Sequence, residues 1–223
     1  NKEDLDYIKY IGNSYPDFIK VISRNPNIGV KTSNFSIFQF FAKCIDQDTV
    51  YIRLDDDIVF VENDALRKLA EFRINNPNYF LVYGNIINNA ICSHLHQRFG
   101  AIDAKLGHVG YSCLDPTGWN NPEFAEYVHR SFIQRFHLKE TKRFKFDRWE
   151  LSYFERCSIN VISWLGEEFR NFGGKVGEDE EWWLSQYKPT QLQKINCIYG
   201  QSVFSHFAFK PQMQHLSTTN ILQ

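Results

Sequence analysis

The feature that most constrains this chain is the stretch Thr49–Glu62, TVYIRLDDDIVFVE, in which three consecutive carboxylates interrupt two runs of β-branched, aliphatic and aromatic residues. Runs such as Val50-Tyr51-Ile52 and Ile58-Val59-Phe60-Val61 predict a strand buried on both faces, of the kind found inside a parallel or mixed sheet. Three adjacent carboxylates cannot be buried there without a cation, which predicts that Asp55, Asp56 and Asp57 lie at a strand end, in a cleft. Alternation along an extended chain places Asp55 and Asp57 on one side and Asp56 on the other. Two carboxylates on one side suit a hard divalent cation such as Mg2+ or Mn2+. An acidic turn would more commonly carry Gly, Asn or Pro.

The rest of the chain predicts an α/β rhythm. Residues 1–14 carry Leu5, Ile8 and Ile11 at helical spacing, and Phe18–Ile22 reads as a short strand. A helix is expected over Asn34–Ile45 and another over Glu62–Asn75, followed by a buried strand over Tyr79–Ile87. Asn88–Asp115 shows no period, which predicts a long irregular segment beside the cleft. Asn121-Pro122 opens a helix to about Phe136. Strand-like segments follow at Tyr153–Trp164 and Ser202–Phe209, with helical turns at Gly166–Phe172 and Gly177–Tyr187. Neither a repeat nor a low-complexity linker breaks the chain. We therefore expect one domain.

Charge and cysteine content narrow the function classes. A formal net charge of −1 without a basic stripe argues against nucleic acid as the main partner. No stretch approaches the roughly 18 apolar residues of a membrane span. The five cysteines are dispersed and form no CxxC pair, which favours reduced thiols and a cytoplasmic setting. The Asn34-Phe35-Ser36 sequon matters only in a secreted protein.

In order along the chain, the aspartate triplet, Gly177-Glu178-Asp179 and the late His206 resemble GT-A-type glycosyltransferases, in particular the family 2-like inverting enzymes. The resemblance spans roughly Ile19–Phe209, and it implies a single catalytic domain in which about 1–87 bind the nucleotide and about 88–223 bind the acceptor. It implies a mainly parallel, mixed sheet flanked by helices, and a DxD motif that holds Mn2+ or Mg2+ against the diphosphate of a nucleotide-sugar donor. It further implies that Asp57, Asp55 and His206 form the metal site and that Asp56 contacts the ribose. Asp179 is then the base that deprotonates an acceptor hydroxyl, on a glycan or another molecule, and Glu178 orients that acceptor. Lys31 becomes a donor contact, Ser158 and Asn160 line the sugar pocket, and Trp182 or Trp183 offers an aromatic platform. Enzymes of this type open on a strand that cradles the base, so the first strand is expected to be missing from these 223 residues.

Two other readings fit parts of the pattern. Leu54-Asp55-Asp56-Asp57-Ile58-Val59 matches the motif of haloacid-dehalogenase-like phosphatases, with Asp55 as nucleophile, although that motif normally sits on the first strand. A non-enzymatic sugar- or calcium-binding module would use the acids and tryptophans without catalysis. His94 and His96 stand two residues apart, which on an extended segment would bring both to one side.

Overall fold

The computed structural model describes residues 2–22 and 38–222. Where the sequence suggests a single domain, its contacts divide the chain into two compact units, Asn1–Ile37 and Phe38–Gln223. In the first, α1 spans Lys2–Ser14. Phe18–Ile22 is not the expected strand: a turn covers Pro16–Phe18 and the following residues are irregular. Lys31 and the sequon at Asn34 fall outside the described residues.

The second unit is an α/β fold on a six-stranded mixed sheet. After the short helix α2 (Phe38–Phe41) come β1 (Val50–Leu54), β2 (Ile58–Val61), α3 (Ala65–Asn75), β3 (Val82–Ile87) and α4 (Ala90–Arg98). Then follow α5 (Pro122–His137), β4 (Arg148–Glu150), β5 (Val161–Leu165), α6 (Gly166–Arg170), α7 (Glu180–Trp182), α8 (Lys188–Leu192), β6 (Cys197–His206) and α9 (Lys210–Leu216). Strand order is β1-β5-β3-β6-β2, with β4 also on β6. Only β3 and β6 are parallel neighbours among the described strands; the other pairs are antiparallel. The sheet is thus mixed but not mainly parallel by pairing. β1, β3 and β6 nevertheless point the same way, because β5 runs against both β1 and β3.

The opening stretch is two strands, not one buried run. β1 pairs with β5 and β2 with β6, near opposite edges of the sheet. Both are only half-buried. The fully buried strand is β3, and its aromatic and aliphatic residues join a core that includes Phe80, Phe169, Trp164 and Leu184. A second core under α5 gathers Phe124, Val128, Phe132, Phe144 and Val203. That helix starts as its sequence indicates: the Asn121 side chain accepts from the Phe124 N–H and Pro122 fills the first turn.

The segment after β3 departs from expectation. Residues 90–98 form α4, capped by Asn89, whose side chain accepts from the Cys92 N–H. The period is hard to see in sequence because the buried positions Ala90, Ile91, Cys92, Ser93, Leu95 and His96 include two polar side chains, so polarity does not mark which face is buried. Tyr153–Asn160 is likewise irregular, and strand begins only at Val161.

β6 carries the largest irregularity. Its first half pairs with β3 up to Gly84–Tyr199 and pairing resumes at Asn85–Val203, leaving Gly200, Gln201 and Ser202 as a bulge. The buried Asn85 side chain closes the gap by donating to the carbonyls of Gly200 (3.0 Å) and Phe144 (2.8 Å). A Cβ on Gly200 would lie 2.3 Å from the Phe146 carbonyl oxygen. Gly200→Ala is therefore expected to cost about 2–3 kcal/mol through forced backbone displacement, measured as a shift in the urea midpoint without a change in slope.

Candidate functional site

The carboxyl ends of β1, β3 and β6 converge, and the candidate site is built where they meet. The chain leaves β1 at Leu54 and makes a turn through Asp55–Asp57, in which the Ile58 N–H donates to the Asp55 carbonyl at 3.3 Å. The Asp55 N–H donates to the Asn160 carbonyl at 2.9 Å, and the Phe207 N–H donates to the Asp57 carbonyl at 2.9 Å. The triplet is thereby tied at one end to the residue before β5 and at the other to the residue after β6. In this sheet order such a span crosses above the end of β3, where Asn88 and Asn89 lie.

Because the triplet is a turn, strict alternation does not apply. Asp55 and Asp57 are partly buried and Asp56 is exposed. Asp57 Oδ2 lies 3.1 Å from His206 Nε2. Burial pushes the Asp57 carboxyl up, but the His206 hydrogen bond and charge, with the Ala208 N–H, outweigh it and hold the group below its ordinary value. His206 is itself buried, its Nδ1 3.2 Å from the Asn88 carbonyl oxygen. A carbonyl only accepts, so Nδ1–H donates to it; an ionised carboxylate also only accepts, so the bond to Asp57 needs a proton on Nε2 as well, which a bound cation would replace.

Asp55 has different company. Its Oδ1 lies 2.8 Å from Arg53 Nη2, and its Oδ2 accepts from Asn160 Nδ2 at 3.0 Å. Burial nonetheless raises its pKa, with Arg53 and Asn160 opposing. Asn160 in turn accepts from Asn89 Nδ2 at 3.0 Å, so the cap of α4 also orients the side chain that holds Asp55. Among the described residues no three His, Cys, Asp or Glu side chains are grouped to enclose a metal. Asp57 and His206 stand together, while Asp55 is turned to Arg53 and Asn160.

The acidic run after Gly177 reaches the triplet through one member. Arg53 Nη2 bridges Asp55 and Glu180 Oε1, the latter at 3.1 Å. Burial raises the pKa of Glu180, against the pull of Arg53. Asp179 is the N-cap of α7: its Oδ1 accepts from the Trp182 N–H at 2.9 Å and lies 3.2 Å from Arg156 Nη2. Both bonds fall on one oxygen. Glu178 is exposed. Of the two tryptophans, Trp183 sits against Phe172 and under Lys188, whereas Trp182 is 42% exposed and stacks on Tyr187 at 5.2 Å. Ser158 is buried against Cys113 at 3.2 Å, an internal contact and not an open pocket wall.

Three site residues were not singled out from sequence. Arg53 looks like an ordinary strand residue, and Glu180 is one acid among four. Asn88 carries a signal only in the structure: it adopts φ 62° and its buried Oδ1 lacks a hydrogen-bond partner. The two histidines weighed as a pair both lie on α4, two residues apart, and so point to different sides of the helix. His96 is buried against Asn85 at 2.8 Å, and His94 bonds the Val109 carbonyl at 2.8 Å. No helix among the described residues is long and apolar enough to cross a membrane. Searched against family models, curated proteins and solved structures, the chain has no match.

Proposed function

We propose that the protein is a metal-dependent glycosyltransferase of GT-A type, moving a sugar from a nucleoside-diphosphate donor to an acceptor hydroxyl with inversion. The observation that carries this reading is the placement of Asp57 and His206 together at the carboxyl ends of β1 and β6, the position where open α/β sheets bind ligands. His206 fits a divalent cation: its Nδ1 is fixed on the Asn88 carbonyl and its Nε2 is directed at a carboxylate, the outer support expected of a ligating imidazole. The unpartnered Asn88 Oδ1 beside it is a further hard donor. A cation held there would offset the negative charge that develops on the diphosphate leaving group. Asp56, exposed at the crown of the turn, is free to contact the donor's ribose.

Asp179 acts as the base. With both its bonds on Oδ1, Oδ2 is open to take the proton of an acceptor hydroxyl. Glu180 holds Arg53, and through it Asp55, and is a positioning residue. Glu178 and the Trp182 ring flank the acceptor side.

Thermal stability in the presence of UDP- and GDP-sugars, with and without Mn2+, tests the proposal, since a ligand of the native state raises it. Mn2+-dependent stabilisation is expected. Asp57→Asn is expected to remove that dependence and lower transfer about a hundredfold or more. Asp179→Asn keeps the cap, because Asn caps as well as Asp, and should abolish transfer while donor binding persists. Hydrolysis of simple phosphate esters, lost in Asp55→Asn, would instead make the protein a phosphatase.

A further inference from the structure

A second site lies at the other end of α4, in a cavity of about 490 Å³ lined by His94, Arg98, Asp103 and His108, with Ile102 and Val109. His94 and Arg98 are four residues apart on α4 and so occupy one face. Each is buttressed by an aromatic ring. Arg98 lies over the Trp149 indole at 5.0 Å, and His94 meets the Tyr111 ring edge-on at 5.2 Å. The two rings are themselves joined, because Trp149 Nε1 donates to the Tyr111 hydroxyl at 2.7 Å, which donates on to Glu155 at 2.7 Å. The result is a closed frame that holds a guanidinium and an imidazole side by side.

Neither functional group is used up inside the frame. Among the described residues Arg98 has no carboxylate within ion-pair distance, as is also true of Arg73, Arg148 and Arg170, whereas Arg53 and Arg156 are each paired. His94 Nδ1 donates to the Val109 carbonyl at 2.8 Å, which leaves Nε2 without a hydrogen-bond partner among the described residues. The Asp103 carboxylate, the one anionic group on the wall, is paired with Lys105 at 3.1 Å.

We infer that this cavity binds a small hydroxylated anion: a carboxylate or phosphate takes the planar fork of Arg98, and a neighbouring hydroxyl donates to His94 Nε2. A sugar acid and a sugar phosphate share this chemistry. The site stands apart from the triplet, at the opposite end of α4, and the inference does not depend on the transferase reading, since binding is measured without donor or metal.

Isothermal titration with glucuronate, glucose 6-phosphate, glucose and inorganic phosphate tests it. At least one of the two sugar anions should bind ten-fold or more tighter than both glucose and inorganic phosphate, and the stronger of the pair identifies the source. Arg98→Gln should remove that advantage, Arg98→Lys should restore it only in part, and His94→Phe should weaken the sugar anion while sparing inorganic phosphate. Trp149 fluorescence should change on binding. Equal affinity for glucose and the sugar anions, or unchanged affinity in Arg98→Gln with a native circular-dichroism spectrum, overturns the inference.

Discussion

Lowering the pH from 6.5 to 4.5 is expected to remove about 5 kcal/mol of folding stability, through two histidines that the fold buries neutral. His96 is fully enclosed, its ring hydrogen-bonded among the described residues to the Asn85 side chain alone, and burial drives its pKa down to about 3. His129 donates from Nε2 to the Phe207 carbonyl at 2.9 Å, and burial lowers its pKa to about 4. A base whose pKa is lower in the fold binds fewer protons there than in the unfolded chain. Stability is therefore complete above the unfolded value near 6.5 and is lost as pH falls, by about 1.4 kcal/mol per unit for each histidine. The loss continues until the folded values are reached. Asp57 acts in the same direction at the acid end of the range, since its depressed pKa makes its contribution vanish as it protonates. Asp55 and Glu180 act oppositely: burial raises both, so their protonation relieves a penalty as pH falls. Urea midpoints across this range should show the slope, and His96→Gln combined with His129→Gln should flatten it. A slope that survives both substitutions would place the proton uptake elsewhere.

Phe169→Ala is expected to destabilise by about 3–5 kcal/mol. Phe169 is fully buried on α6, and its ring packs on Trp164 at 4.8 Å, Phe172 at 5.0 Å, Phe80 at 5.6 Å and Phe41 at 5.8 Å. These neighbours come from separate elements of the second unit, so no single side chain can move in to refill the space. Phe169→Leu, which keeps much of the volume, should lose less than half as much. Chemical denaturation measures both, and equal losses would show that ring geometry rather than volume holds the cluster.

Much of this architecture was legible in the sequence, and the parts that were not share a physical cause. Helices α3 and α5 and strand β3 announced themselves because each has a one-sided or continuous apolar pattern and plain boundaries. The stretch Val50–Val61 misled because two edge strands placed end to end have the same composition as one buried strand; only pairing partners distinguish them. Helix α4 was invisible because Ser93 and His96 put polar side chains on its buried face. The Asp57–His206 contact was legible as an order of residues but not as a distance. Arg53 and Asn88 were not legible at all, since an alternating strand position and a left-handed asparagine become meaningful only once Asp55 and His206 are brought to them.

The bulged β6 has a consequence for how the chain reaches its structure. This strand lies beside β3, β2 and β4, so residues near Val61 and near Glu150 both wait for Cys197–His206 before they can pair. During synthesis the part of the unit that precedes Cys197, β1 to β5 included, must therefore remain without this strand until Cys197–His206 is made. Non-local pairings of this kind slow folding and lengthen the interval in which strand edges lie open. Synthesis rate and chaperone supply, rather than equilibrium stability, should set the yield of native protein.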